Sequence, residues 1–249
     1  MAASSQGLGL ACAVSLAREG VAVTLNGRSS PRLAAAAARL RDVVPEAQVS
    51  SVMADLTTAE GRATILRVLP AVDILVTNNA GPPPGELVDW DEDALIGALR
   101  ANAIPAIELM RAYVPGMRKR GFGRIVNITS AMVKAPAAEM GLSASARAAL
   151  TAVSKSISNA VVRDNVTVNN LLPERIDTPR QEFMAQRLMA AEGLDRDGAR
   201  ERIASTVAAR RLGRPEEFGD ACAFLCSAQA GYISGHNLSI DGGSYGGLI

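Results

Sequence analysis

Gly7-Leu8-Gly9 stands directly before a run of helical period. Such a turn lets backbone amides approach a pyrophosphate, and the helix N-terminus favours its negative charge. Ser4, Ser5, Gly7, Leu8 and Gly9 therefore form a candidate phosphate loop, although glycines before a helix also occur for steric reasons alone. The next strand-like run closes on Asn26-Gly27-Arg28-Ser29, without a carboxylate. In a dinucleotide fold an acid at that point accepts from the adenosine ribose hydroxyls, whereas a base accommodates a 2′-phosphate. Arg28 is either a phosphate clamp assisted by Ser29 or a solvated loop arginine. The missing acid favours the clamp, and with it NADP(H) over NAD(H).

Bulk composition narrows the alternatives. The 249 residues suffice for one large α/β domain, and no linker or charge run divides them. With 26 Lys and Arg against 25 Asp and Glu, the surface offers no broad positive field for nucleic acid. No apolar run is long enough to span a bilayer and no signal stretch opens the chain, so a cytoplasmic protein is expected. Cys12, Cys222 and Cys226 read as reduced core thiols, and one histidine makes a zinc site untenable, so no metal is expected.

Short apolar runs alternate with longer helical segments, which predicts a doubly wound, mostly parallel three-layer sheet, Rossmann-like, in a single domain over 1–249. The strands are expected at Val21–Asn26, Gln48–Ala54, Ile74–Thr77, Arg124–Ile128, Val166–Leu172 and Asn237–Ile240. Helices are expected at Leu10–Glu19, Thr58–Val68, Asp91–Met117, Gly141–Arg163 and Pro215–Cys226, with one more running from Pro31 to Arg41 behind a Ser30 cap. Arg180–Arg210 has no strand and reads as a helical excursion, either a lid over the ligand crevice or a solvated helix pair. The strand that should precede the phosphate loop is missing from the numbered chain. A late start of that numbering is the expected reason.

Ala2–Gly9, Asp55-Leu56, Asn78-Asn79-Ala80-Gly81, Asn102, Ser130, Pro173 with Ile176 and Thr178, and Asp241-Gly242-Gly243 follow one another in an order that resembles the short-chain dehydrogenase/reductase family. Gly123–Ile128 and Arg211–Glu217 look most like its 3-oxoacyl-acyl-carrier-protein reductases. The resemblance implies that Asp55 and Leu56 receive adenine, that Ala80 and Gly81 let the backbone approach the adenosine ribose, and that Asn79 braces the neighbouring strand. It also implies that Pro173, Ile176 and Thr178 face the nicotinamide. Two departures stand out: Ala3 replaces the first glycine of the fingerprint, and Glu174 replaces the glycine after Pro173, where its charge alters the loop or the nicotinamide pose.

Carbonyl reduction needs a hydride and a proton. In the family a serine holds the substrate oxygen, a tyrosine gives the proton, a lysine lowers the tyrosine pKa and binds the cofactor ribose, and an asparagine supports a water relay. Ser130 and Asn102 match the first and last roles, but Ser143 and Arg147 stand where the tyrosine and lysine belong. A serine hydroxyl is a far weaker acid than a phenol of pKa ~10, and arginine does not shuttle protons, although Arg147 can still meet the ribose. Lys134, Glu139 or a water ordered by Asn102 and Ser143 would have to supply the proton, and Lys155 reads as solvated. Two functions follow: an NADP(H)-dependent oxidoreductase interconverting a carbonyl and an alcohol through an atypical relay, or a non-catalytic NADP(H)-binding sensor or partner subunit. The resemblance further implies a homotetramer, or else a dimer, built on the two long central helices.

Overall fold

The computed structural model describes residues 1–248. Two parallel strands, β1 (Val23–Gly27) and β2 (Val49–Met53), pair at one side. Four more, β3 (Ile74–Thr77), β4 (Gly123–Ile128), β5 (Val166–Pro173) and β6 (Asn237–Ile240), run parallel in that order. Met1–Ser4 lies in the space between the two groups. The Met1 amine donates to the Thr24 carbonyl, the Asn26 amide to the Met1 carbonyl and the Ser4 amide to the Asn26 carbonyl, while the Ala2 amide donates to Val76 of β3. This short segment, too brief to read as a strand from sequence, links both groups at the position where a strand is missing from the sequence pattern.

Helices cover both faces. α1 (Gly7–Arg18), α2 (Ser30–Val43) and α9 (Pro215–Cys226) share one apolar cluster with β1. The opposite face is covered by α3 (Ala59–Val68), α5 (Ile104–Arg120) and α6 (Gly141–Val161). Cys12, Cys222 and Cys226 are all free and buried in the first cluster, as core thiols. A hydrogen bond to Cys12, together with burial, pushes the Cys222 thiol well up, away from reactivity.

Where the sequence suggests one helix over Asp91–Met117, there are two, α4 (Glu92–Asn102) and α5. Pro105 sits in the first turn of α5, where its missing amide costs nothing, but its ring denies continuation to the turn before it. The break makes Asn102 the last residue of α4. The excursion folds as α7 (Pro179–Glu192) and α8 (Arg196–Ala204), which enclose a small cluster of their own around Ala185, Ala199 and Ile203. The cap of α2 is Ser29, whose side chain accepts from Arg32, rather than Ser30.

Polar side chains cross the middle of the sheet in register: Thr77 faces Asn127, Asn127 faces Asn170 and Asn170 faces Asn237. Thr77 Oγ1 donates to Asn127 Oδ1 (2.6 Å), Asn127 Nδ2 donates to Ser154 of α6 (2.9 Å), and Asn170 Nδ2 donates to Asn237 Oδ1 (2.7 Å). Arg124 is equally internal. Only 2% exposed, it donates to main-chain carbonyls of Gly123, Asn165 and Ser227 and lies 4.5 Å from the Phe122 ring centroid. It is not part of a solvated basic stretch.

Candidate functional site

The carboxyl ends of the strands meet at one crevice, and the chain reverses its direction of progress there, between the Met1–Ser4 segment and β3, as ligand sites of open α/β sheets do. Gly7 takes φ +58°, and a Cβ on Gly9 would stand 2.5 Å from the Ala3 carbonyl oxygen. The turn therefore closes tightly only with a bare Gly9. Ala3 itself is left-handed at φ +42°, a conformation that strains an L side chain. It is held there by its amide bond to Asn26 Oδ1 (3.3 Å) and by Asn78 Nδ2, which donates to its carbonyl (3.3 Å). The α1 N-terminus has no side-chain cap and no acidic residue in its first turn, so its amides remain available to an anion.

Each candidate binding residue has a definite place around this turn. Ser4 is fully buried, and its hydroxyl bonds Met1 and Asn26, so it supports the loop from beneath. Ser5 Oγ lies against Gly27, and Leu8 packs on the core. Arg28 projects from the end of β1 with its side chain 71% exposed, 4.0 Å from Asp55 Oδ2. Asp55 Oδ1 accepts from the Thr57 amide (2.9 Å) and hydroxyl (2.8 Å), which holds the carboxyl below its ordinary pKa. The turn-cap role and the open second oxygen thus coexist on one carboxylate. Leu56 is buried in the second core cluster.

Beyond β3, Asn79 does not brace the neighbouring strand. Its Nδ2 donates to Ala101 near the end of α4 (2.6 Å), and its Oδ1 accepts from the Ala80 amide. A Cβ on Gly81 would stand 3.3 Å from Ser143 Oγ and 3.5 Å from Arg147 Nη2, so this glycine keeps the loop close to α6.

On the other side, Pro173 ends β5 and the Glu174 amide bonds Ile240. The Glu174 side chain, 12% exposed, pairs with Arg175 at 3.0 Å. Burial raises its pKa, Arg175 opposes that, and Asp241 adds to it. Arg175 is the second strained residue of the crevice, at φ +51°. Ile176 is buried against Gly213, and its neighbours Arg175 and Asp177 take the Gly213 backbone bonds, leaving only the main chain of Ile176 for a ligand. Thr178 caps nothing with its side chain and lies 3.8 Å from the place a Cβ would take on Gly7. The helical excursion thus begins directly over the Gly7–Gly9 turn. Arg200 with Asp177 (2.6 Å) and Arg196 with Glu182 (2.8 Å) lock its two helices together around an open cavity of about 550 Å³. Ser130, Ser143 and Arg147 do not line that cavity, which separates it from the carbonyl site.

Ser130, Ser143 and Arg147 do come together. Ser130 follows β4 directly and its Oγ accepts from the Met132 amide (3.2 Å), leaving the hydroxyl proton to point elsewhere. Ser143 is buried on the first turn of α6 and accepts from Arg147 Nε (3.4 Å). Arg147 Nη1 donates to the carbonyls of Ile128 (2.9 Å) and Thr129 (2.7 Å), and Nη2 reaches the Asn79 carbonyl (3.4 Å). Four of the five guanidinium N–H groups are thereby engaged inside the protein. Burial, and then the proximity of Arg180, push the Arg147 pKa down to about 10, so it stays charged at neutral pH. Arg180, at the start of α7, is a neighbour of this site that motif reading missed.

Asn102, 6% exposed, donates to Ala98 (3.3 Å), while its Oδ1 is buried without a partner among the described residues. It lines, with Asn79 and Arg147, a cavity of about 10 Å³. That is about the smallest space that holds one water, and an orphaned acceptor is what such a water satisfies. Lys134 lies over the Tyr245 ring (5.1 Å), Glu139 is exposed, and Lys155 Nζ bonds the Gly235 carbonyl (3.3 Å), so none of the three is directed at Ser130.

Known proteins resemble this chain in sequence and fold. A family model described as enoyl-(acyl carrier protein) reductase matches residues 2–245. The NADPH-dependent reductase BacG of Bacillus subtilis is 30% identical over 245 residues, covering 97% of this chain and 95% of that protein. Dehydrogenase/reductase SDR family member 4 of Bos taurus is 32% identical over 248 residues, covering 97% and 85%. The crystal structure of L-sorbose reductase from Gluconobacter frateurii, complexed with NADPH and L-sorbose, superposes with a TM-score of 0.93 at 30% identity, over 100% of this chain and 96% of that one.

Proposed function

Since the chain belongs to the short-chain dehydrogenase/reductase family, we propose that it is an NADP(H)-dependent oxidoreductase that interconverts a carbonyl and an alcohol, 3-oxoacyl-reductase-like, with an atypical proton relay. The observation that carries the reading is the retained oxygen-holding half of the site: Ser130 at the end of β4, with the orphaned Asn102 Oδ1 and its one-water cavity nearby. NADPH-dependent reduction by the relatives supports the choice of cofactor.

The residues fit a dinucleotide. Gly9 lets α1 close on the Ala3–Ser4 backbone and Gly81 keeps the loop after β3 close to α6, so that the uncapped α1 amides meet the pyrophosphate while Arg28 with the Ser29 hydroxyl meets the 2′-phosphate. Asp55 Oδ2 and the Leu56 amide serve adenine, and Thr178 and the Ile176 main chain serve the nicotinamide side. Bound there, the reduced nicotinamide supplies the hydride. Ser130 donates its hydroxyl hydrogen bond to the substrate oxygen as charge develops on it. Asn102 and Arg147 hold the water that delivers the proton, in place of a phenol. α7 and α8, which form the 180–210 excursion, act as a lid on the substrate side.

Exposed apolar side chains support self-association through two surfaces: Leu95 and Ile104 on the α4–α5 side, and Phe224 and Tyr232 near α9. A homotetramer is the proposed assembly, and sedimentation at micromolar concentration tests it.

The test of function is NADPH titration followed by a panel of ketones, acetoacetyl thioesters and enoyl thioesters. Turnover that disappears in Ser130→Ala supports the proposal. NADPH binding without turnover on any substrate would instead favour the sensor or partner-subunit reading.

A further inference from the structure

Building on the oxidoreductase reading, we infer that Arg147 is a positioning residue for Ser130 and does not ligate the cofactor ribose. The guanidinium crosses from α6 to two strand ends. Its two shortest bonds go to the carbonyls of Ile128 and Thr129, the two residues immediately before Ser130. The Thr129 amide is meanwhile fixed to Leu171 of β5 (2.9 Å), so the Ile128–Thr129 peptide is pinned from both sides and the Thr129–Ser130 peptide, through its carbonyl, is held by Arg147. Through Asn79 and Ser143 the same side chain also ties in the loop after β3 and the first turn of α6. A lysine ammonium is a single point with three donors and cannot span these acceptors, whereas the planar fork of arginine can.

The charge has a second consequence. A cation held behind Ser130 stabilises negative charge on a substrate oxygen that Ser130 holds, without being a proton source. As hydride adds to the carbonyl carbon, the C=O π pair moves onto oxygen, and the Ser130 hydroxyl and the Arg147 charge hold the resulting alkoxide. A water molecule then protonates that oxygen and leaves hydroxide to the solvent. The site replaces acid strength with fixed positive charge, which explains how arginine can stand where a proton-relaying lysine is expected.

The test compares wild type with Arg147→Lys, Arg147→Gln and the Ser143→Tyr/Arg147→Lys pair. It reads NADPH Kd from nucleotide fluorescence, kcat and KM separately, and amide exchange at Ile128–Ala131. In Arg147→Lys we expect kcat to fall at least about 10-fold, NADPH Kd to stay within about 3-fold, and exchange to accelerate at Thr129, with no recovery in the double variant. NADPH binding weakened about 10-fold with kcat preserved at saturation would overturn the inference in favour of a ribose ligand. Unchanged kcat in Arg147→Lys and Arg147→Gln would overturn it too. If wild type turns over nothing, the oxidoreductase reading fails separately. Kd and exchange still decide the clamp, since steady Kd with faster exchange supports it and weaker Kd overturns it.

Discussion

Arg28 Nη1 and Asp55 Oδ2 face each other across 4.0 Å at the ends of adjacent parallel strands, with the arginine largely in solvent. At that distance and exposure the pair adds little stability, on the order of 0–0.5 kcal/mol. The proposed phosphate clamp rests instead on the guanidinium itself, at a β1 end, Asn26-Gly27-Arg28-Ser29, that carries no carboxylate of its own. Arg28→Leu should therefore leave the melting temperature nearly unchanged while weakening NADPH by about 10- to 100-fold, the worth of a charge-assisted phosphate contact. NADH affinity should move far less. Equal losses for both nucleotides, measured by fluorescence titration, would remove Arg28 from the 2′-phosphate site.

All six strands appear where the sequence places them; β1, β3, β4 and β5 were legible because buried parallel strands announce themselves as short apolar runs between turns, whereas β2 and β6 are less buried and were legible from their place in the alternation. The break before Pro105 was not, since the apolar period continues across it and the proline is tolerated in the first turn of a new helix. Ser130, Asn102, Ser143 and Arg147 were legible as candidates from their order along the chain, and Ser130, Ser143 and Arg147 do come together. The contacts of Arg147 were hidden because its main partners are backbone carbonyls, which any sequence supplies. Arg124 escaped for the same reason: its burial is satisfied by main-chain oxygens that no side-chain pattern records.

Ala3 stores strain in the phosphate loop. A left-handed alanine costs roughly 1–2 kcal/mol, and glycine gives back about 0.5–1 kcal/mol of that through its larger unfolded-state entropy. Ala3→Gly should consequently stabilise the chain by about 0.5–1 kcal/mol, raising the melting temperature by about 1–3 °C. Calorimetry showing a lower melting temperature would mean that the methyl group contributes packing that outweighs the strain at φ +42°.

Gly9 has the opposite sensitivity. A Cβ there would meet the Ala3 carbonyl oxygen at 2.5 Å and the Ser4 Cα at 2.9 Å, both backbone atoms that cannot swing aside. Gly9→Ala should cost roughly 2–3 kcal/mol by forcing the loop away from α1. NADPH affinity should fall with it, because the displaced amides no longer converge on one anion. A variant that keeps wild-type Kd would show that the close approach of α1 to the loop is not what binds the pyrophosphate.

Glu217, in the first turn of α9, supplies a pH-dependent brace to the segment ahead of that helix. Hydrogen bonds from Arg211, then from the Arg214 amide, hold its carboxyl down at about 2. Arg211 grips both oxygens at 2.8 Å, and the Arg214 amide adds a bond at 2.7 Å. Because the folded pKa lies below the unfolded one, the stabilisation is complete above the ordinary carboxylate range and is lost as pH falls towards about 2. The group is partly exposed, so the gain is discounted to about 0.5–1 kcal/mol. Glu217→Gln should therefore melt about 1–3 °C below wild type at neutral pH, with the gap closing progressively below about pH 4.5. A gap of constant size from pH 7 to the acid limit of folding would assign the difference to packing or to neutral hydrogen bonds instead of to the carboxylate charge.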